Sequence, residues 1–203
     1  MNKYLKCLFK SVLAGFSIGL GALIFLNIEN KIVGSLFFTV GLFIILNFNL
    51  NLYTGKICYV VEKKNYSEMP IILIGNFIGT WIISFITNLT RLDNLMDNAN
   101  NICQLKLKDS LLSLFILSVL CNIMIYIAVE GYNKFENNLS KIISLFFGVT
   151  VFIICGFEHC VADMFYFNFA KIYSLDVFVR LFIIVVGNSI GGLISRLCLR
   201  RNN

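Results

Sequence analysis

The chain has 203 residues, 58% of them hydrophobic and only 14% charged, with one proline and a formal net charge of +6. A soluble domain carries about 25% charged residues, so this composition, with a mean hydropathy of +0.83, excludes a water-soluble domain and indicates an integral membrane protein. The basic residues flank apolar segments and form no separate basic domain, which excludes a nucleic-acid-binding surface and makes them topology determinants.

Six membrane segments are predicted, at about 7–26, 32–61, 69–90, 109–130, 140–169 and 177–199. A span of about 20 apolar residues crosses the hydrocarbon. Lys3, Lys6 and Lys10 precede the first segment, and no small-x-small cleavage site follows it, so it reads as a span and not as a signal peptide. The second is too long for one span and carries a polar interruption, Asn47-Phe48-Asn49-Leu50-Asn51-Leu52-Tyr53-Thr54-Gly55-Lys56. The third contains Gly75-Asn76-Phe77-Ile78-Gly79. The fifth is also too long, and holds Cys155-Gly156-Phe157-Glu158-His159-Cys160-Val161-Ala162-Asp163-Met164, with the only histidine of the chain. The sixth contains Gly187-Asn188-Ser189-Ile190-Gly191.

Polar, glycine-containing breaks at membrane depth are tolerated only where they are buried in protein or line a cavity. Ionisable groups at that depth mark pathways or proton relays. The two G-N-x-I-G stretches lie 112 residues apart, and the breaks at Thr54 and His159 lie 105 apart. Three segments separate the matched elements, so the halves have opposite orientations. The expected fold is an all-α, aquaporin-like protomer forming a single channel domain over residues 1–203. Its two halves, about 7–90 and 109–199, form an inverted 3+3 repeat with broken second and fifth helices and a site near the midplane. Close packing through small residues is the plainer reading of the glycines, and both readings can hold. Lys3, Lys6, Lys10, Lys63, Lys64, Lys134, Lys141, Arg196, Arg200 and Arg201 fall on one side, which is expected to be cytoplasmic and to hold both termini.

The seven cysteines are scattered and form no CxxC pair, so they read as small buried hydrophobes. A metal site from Cys155, His159, Cys160 and Asp163 is disfavoured, because adjacent helical side chains point about 100° apart, and no second Cys/His cluster supports one. No cofactor is expected.

These residues together resemble the formate/nitrite transporter family. Gly156-Phe157-Glu158-His159-Cys160-Val161-Ala162-Asp163-Met164 is similar to its G-F-E-H-S-x-A-N-M motif, and Leu52-Tyr53-Thr54-Gly55 to its L-F-T-G loop. Cys121-Asn122, Ala14-Gly15-x-x-Ile18-Gly19 and Gly187-Asn188-x-x-Gly191-Gly192 match further family positions in the same order. The resemblance implies a homopentamer in the inner membrane of a bacterium, with one pore per protomer for formate, nitrite, hydrosulfide or a similar monovalent weak-acid anion, together with a proton. It implies that His159 is the central proton donor with Thr54 as its partner, and it places Glu158 and Asn188 beside them. It assigns Phe38 and Leu42 to the cytoplasmic constriction, Leu52 with Phe152 to the periplasmic one, and Lys106, 16 residues before Asn122, to anion attraction; Tyr53 is counted with the constriction residues, and Lys56 and Asn122 with the anion-attracting ones. Glu158 is expected to point off the axis and anchor the broken helix through backbone amides. Asn51, Tyr53, Lys56 and Asp163 depart from the family pattern, and they leave the identity of the anion open.

A bare anion pays a nominal Born penalty of about 20 kcal/mol in such constrictions, whereas a neutral acid pays far less. A histidine, with an ordinary pKa of about 6.5, could supply the proton. The alternatives are a neutral-solute channel, against which the chain lacks Asn-Pro-Ala at either break, and an intramembrane enzyme using Cys155, His159 and Cys160, against which no supporting catalytic motif is found.

Overall fold

The computed structural model describes residues 2–199. The basic residues Arg200 and Arg201, invoked for topology, lie outside the described residues. The described residues form α-helices joined by loops and short 3-10 turns: α1 Lys3–Asn27, α2 Lys31–Asn47, α3 Tyr53–Ile57, α4 Val60–Lys63, α5 Met69–Thr87, α6 Met96–Lys108, α7 Leu111–Lys134, α8 Asn138–Ile154, α9 Cys160–Phe169 and α10 Leu175–Cys198. Among the described residues, four helices are long and apolar enough to cross a membrane: α1, α5 with the turn before it, α7 and α10. The 17-residue helices α2 and α8 reach only about 25 Å. The breaks and the returning helices α3 and α9 complete those two passages.

Local sequence sets these boundaries. Asn30 and Asn137 cap α2 and α8, each side chain accepting two backbone N–H groups of the first turn. Both broken helices end on a left-handed residue: Asn49 at φ 49° and Gly156 at φ 69°. Glycine meets no steric penalty there, and asparagine is among the side chains that tolerate it best.

The inverted repeat is therefore measurable residue by residue. Asn30 and Asn137, Asn49 and Gly156, and Tyr53 and Cys160 are each 107 residues apart and hold equivalent positions. The glycine-asparagine stretches of α5 and α10 are 112 apart, because the second half has a longer returning helix. The equation of Thr54 with His159 at 105 residues is thus corrected. By the repeat, His159 corresponds to Leu52 and Thr54 to Val161.

Helix α1 packs on α5, and α7 on α10, through their small residues. A Cβ built on Gly79 would sit 2.0 Å from the Val12 carbonyl oxygen, and one on Gly191 would sit 2.3 Å from that of Val119. The backbones approach closely enough to exclude any side chain. Both readings of the G-N-x-I-G stretches hold, since the intervening asparagines turn to the breaks.

Helix α6, an element missing from the six-segment reading, lies between the third and fourth spans. Ala99, Cys103 and Lys106 form its buried face. This face carries Lys106 into the protein interior beside α9.

Candidate functional site

Each asparagine of the repeated stretches organises one break. Asn76 accepts the Tyr53 N–H at 2.8 Å and donates to the carbonyls of Ser11 and Asn51 at 2.8 and 2.9 Å. Asn188 accepts the Cys160 N–H at 2.9 Å and donates to the carbonyls of Ser118 and Glu158, both at 2.8 Å. Non-helical backbone at membrane depth must find such partners inside the protein. Asn188 thus acts on the backbone and does not present a side chain to a pathway.

Between the breaks sits His159, 1% exposed. Its Nε2 lies 3.0 Å from Thr54 Oγ1, and its Nδ1 accepts the Ala162 N–H at 3.1 Å, capping α9. A ring nitrogen that accepts a backbone N–H carries no proton, so this ring is the neutral Nε2–H tautomer. Its hydrogen points at Thr54. The ring also stacks on Phe152, with centroids 5.6 Å apart.

Two cavities approach this pair from opposite ends. One, of about 260 Å³, is lined by Phe38, Phe152, His159, Lys106, Glu158 and Asp163 among others. The other, of about 510 Å³, is lined by Leu42, Leu52, Lys56, Glu62, Glu130 and Arg196 among others. The expected pairing of the constriction residues is therefore exchanged. Phe38 packs edge-on against Phe152, centroids 5.9 Å apart, on the Lys106 side, and Leu42 and Leu52 belong together on the Arg196 side. Phe38 and Leu42 are four residues apart on one face of α2, so they follow one another along the passage instead of facing across it.

Other expectations are corrected too. Tyr53 lines neither cavity, and its hydroxyl meets Ser189 of α10 at 2.9 Å. Asn122 also lines neither, and donates to the Thr54 carbonyl at 3.2 Å, fixing that loop from behind. The Glu158 carboxylate does not anchor backbone amides; it accepts from Lys106 Nζ at 2.5 Å. Lys106 lines the first cavity but is largely enclosed. It is 8% exposed and also pairs with Asp163 at 2.8 Å. Lys56 does line a cavity, the one on the Arg196 side, with Lys63 and Lys134. Cys155 is exposed at the end of α8, whereas Cys160 is fully buried in the first turn of α9.

The sequence reading missed a polar cluster on the Arg196 side. Arg196 pairs with Glu62 at 2.7 Å and Glu130 at 2.9 Å, and lies over the Tyr59 ring at 4.9 Å. Tyr59 also donates to Glu130. Two carboxylates at the ends of apolar segments were the available signal, but their convergence on one arginine spans up to 134 residues.

The formate/nitrite transporter family model matches residues 1–200. The chain belongs to the formate/nitrite transporter family. A formate-nitrite transporter of Plasmodium falciparum is 28% identical over 233 residues, covering 94% of this chain and 75% of the relative. One of Plasmodium malariae is 27% identical over 154 residues, covering 68% and 47% respectively; the chain spans about half the length of most of the first curated relatives it matches. A solved pentameric formate channel with formate bound superposes with a TM-score of 0.79 at 22% identity, covering 97% of this chain and 94% of the other, and shows the shared six-span fold. Membership places the chain among multi-pass membrane proteins.

Proposed function

We propose that this chain forms a channel for small monovalent anions of weak acids, which cross its apolar constrictions as the neutral acid. The observation that carries the reading is the buried His159–Thr54 pair, set between the Phe38–Phe152 rings on one side and Leu42 and Leu52 on the other. A bare anion there would face the Born penalty of about 20 kcal/mol. A neutral acid would face far less, and would meet an N–H and a hydroxyl able to bond it. On the Arg196 side, Lys56, Lys63, Lys134 and Arg196 outnumber Glu62 and Glu130, so the field concentrates anions at that mouth. Formate and nitrite are the first substrates to test, given the names of the relatives. A proton from His159 itself requires that Nδ1 release the Ala162 amide and take up a proton. The neutral tautomer offers its Nε2–H as a hydrogen bond only, since giving that proton away would leave an imidazolate.

The unit in the membrane is proposed to be a homopentamer with both termini cytoplasmic, in a bacterial inner membrane. Large apolar side chains such as Phe37, Phe43, Phe147 and Phe182 are exposed on the protomer, and lipid or neighbouring copies would cover them.

The test is formate uptake into proteoliposomes with luminal pH recorded. Uptake with acidification is expected for the wild type, with loss in His159→Asn and Thr54→Val. Wild-type vesicles indistinguishable from empty ones would overturn the reading.

A further inference from the structure

The cavity on the Lys106 side holds an imbalance of charge. Glu158 and Asp163 both point at one ammonium, Lys106 Nζ, at 2.5 and 2.8 Å. Asp163 is 1% exposed and its Oδ2 has no hydrogen-bond partner. Two carboxylates at one buried site do not both ionise cheaply, and an uncompensated buried charge costs several kcal/mol. The other ionisable groups around the site do not restore balance. On α9 and just before it are His159, neutral by its hydrogen bonds, and Cys160 and Tyr166. Cys103 of α6 and Cys121 of α7 also face Asp163. Lys31 and Asp109 line the same cavity with opposite charges, and Lys31 donates to the Ile154 carbonyl and not to either carboxylate. Arg180 of α10 donates to the carbonyls of Lys106 and Asp109 and pairs with Asp176. Helix α5, which packs on α9, contributes no ionisable side chain.

We propose that Glu158 and Asp163 share one dissociable proton, held in place by Lys106, and that this proton is the one handed to the substrate anion. The inference rests on the weak-acid reading above and names its proton source. In the step, the carboxylic O–H bond breaks as a new O–H forms on the anion, and the neutral acid moves on past Phe38 and Phe152 to His159 and Thr54. The carboxylate left behind is paired with Lys106 until hydronium from the cavity restores its proton and releases water. The source lies in the same cavity as His159, and so reaches substrate without disturbing the cap on Ala162.

Two measurements on the full chain in liposomes test this. The first is pH-difference infrared spectroscopy without substrate. The expected result is a protonated carboxylic C=O band at neutral pH that vanishes at higher pH, is absent in both Asp163→Asn and Glu158→Gln, and persists in His159→Asn. No such band in the wild type, or an undiminished one in both carboxylate variants, overturns the shared proton. The second is formate flux against external pH. Asp163→Asn should depend on acid formed in bulk water, so its flux should fall about tenfold per pH unit, while the wild type falls less steeply. Identical slopes overturn the hand-over. A wild type that shows the band but carries no formate overturns the transport reading and the hand-over, while the band still supports the shared proton.

Discussion

Asn76 and Asn188 make the same three hydrogen bonds in opposite halves of the molecule, each closing one break by accepting the first N–H of the returning helix and holding two carbonyls. The polar backbone of both breaks is satisfied by one residue type at one repeated position. The passage can therefore bend at membrane depth without exposing bare amides to lipid.

Asn188→Leu removes three bonds at once and leaves the Cys160 N–H and the Glu158 carbonyl without partners, while the Ser118 carbonyl keeps only its place in the α7 ladder. Each orphaned buried group costs about 1–3 kcal/mol, so the variant is expected to lose several kcal/mol and to show a strong drop in melting temperature in detergent. Asn76→Leu should behave alike. A melting curve matching the wild type in either variant would mean that other groups hold the break.

Gly79→Ala and Gly191→Ala test the helix contacts. The added methyl would sit 2.0 or 2.3 Å from a carbonyl oxygen, so the backbones must part. Overpacking of this kind costs about 1–3 kcal/mol. Reduced thermal stability is expected in both, while Gly55→Ala, whose nearest neighbour is the Val129 side chain at 3.6 Å, should be close to neutral.

Phe38 and Phe152 should be coupled and Leu42 should not join them. An edge-on aromatic pair contributes about 0.5–1.5 kcal/mol beyond its area. A double-mutant cycle on stability is expected to show that coupling for Phe38→Ala with Phe152→Ala, and little for Leu42→Ala with Phe152→Ala. Larger substrates such as lactate are expected to enter the Phe38→Ala variant. Coupling of Leu42 to Phe152 as strong as that of Phe38 would overturn their assignment to separate cavities.

Thiol labelling tests sidedness. Cys155 and Cys198 are exposed, at the Lys106 and Arg196 ends respectively. Cys103 is buried on α6, and burial pushes its thiol up to about 12, so it stays protonated at neutral pH. A membrane-impermeant maleimide added to intact cells at pH 7.5 is expected to label Cys155 alone, and disrupted membranes should add Cys198. Labelling of Cys198 in intact cells would invert the proposed orientation.

The breaks, the glycine contacts and the place of His159 were legible because each is a local departure from an apolar run: a left-handed residue, a small residue, a polar atom where lipid should be. What was not legible depends on which side of a break a residue faces. The repeat offset was read as 105 because Thr54 and His159 are the conspicuous residues, yet they are contact partners and not equivalents. Phe38 was placed with Leu42 because they share a helix face, although the rise of one turn along α2 puts the two in different cavities. Lys106 looked like a free attractor because its two carboxylates lie 52 and 57 residues further along the chain, beyond a span and a break.

The counter-charge for those carboxylates comes from α6, which is not among the membrane-spanning helices. Lys106 precedes Glu158 and Asp163 in the chain and is therefore translated before them. A charged residue at the centre of an inserting helix costs about 2.5–3.5 kcal/mol on translocation scales. The segment bearing Glu158 and Asp163 therefore enters at lower cost with its acids protonated or already set against Lys106.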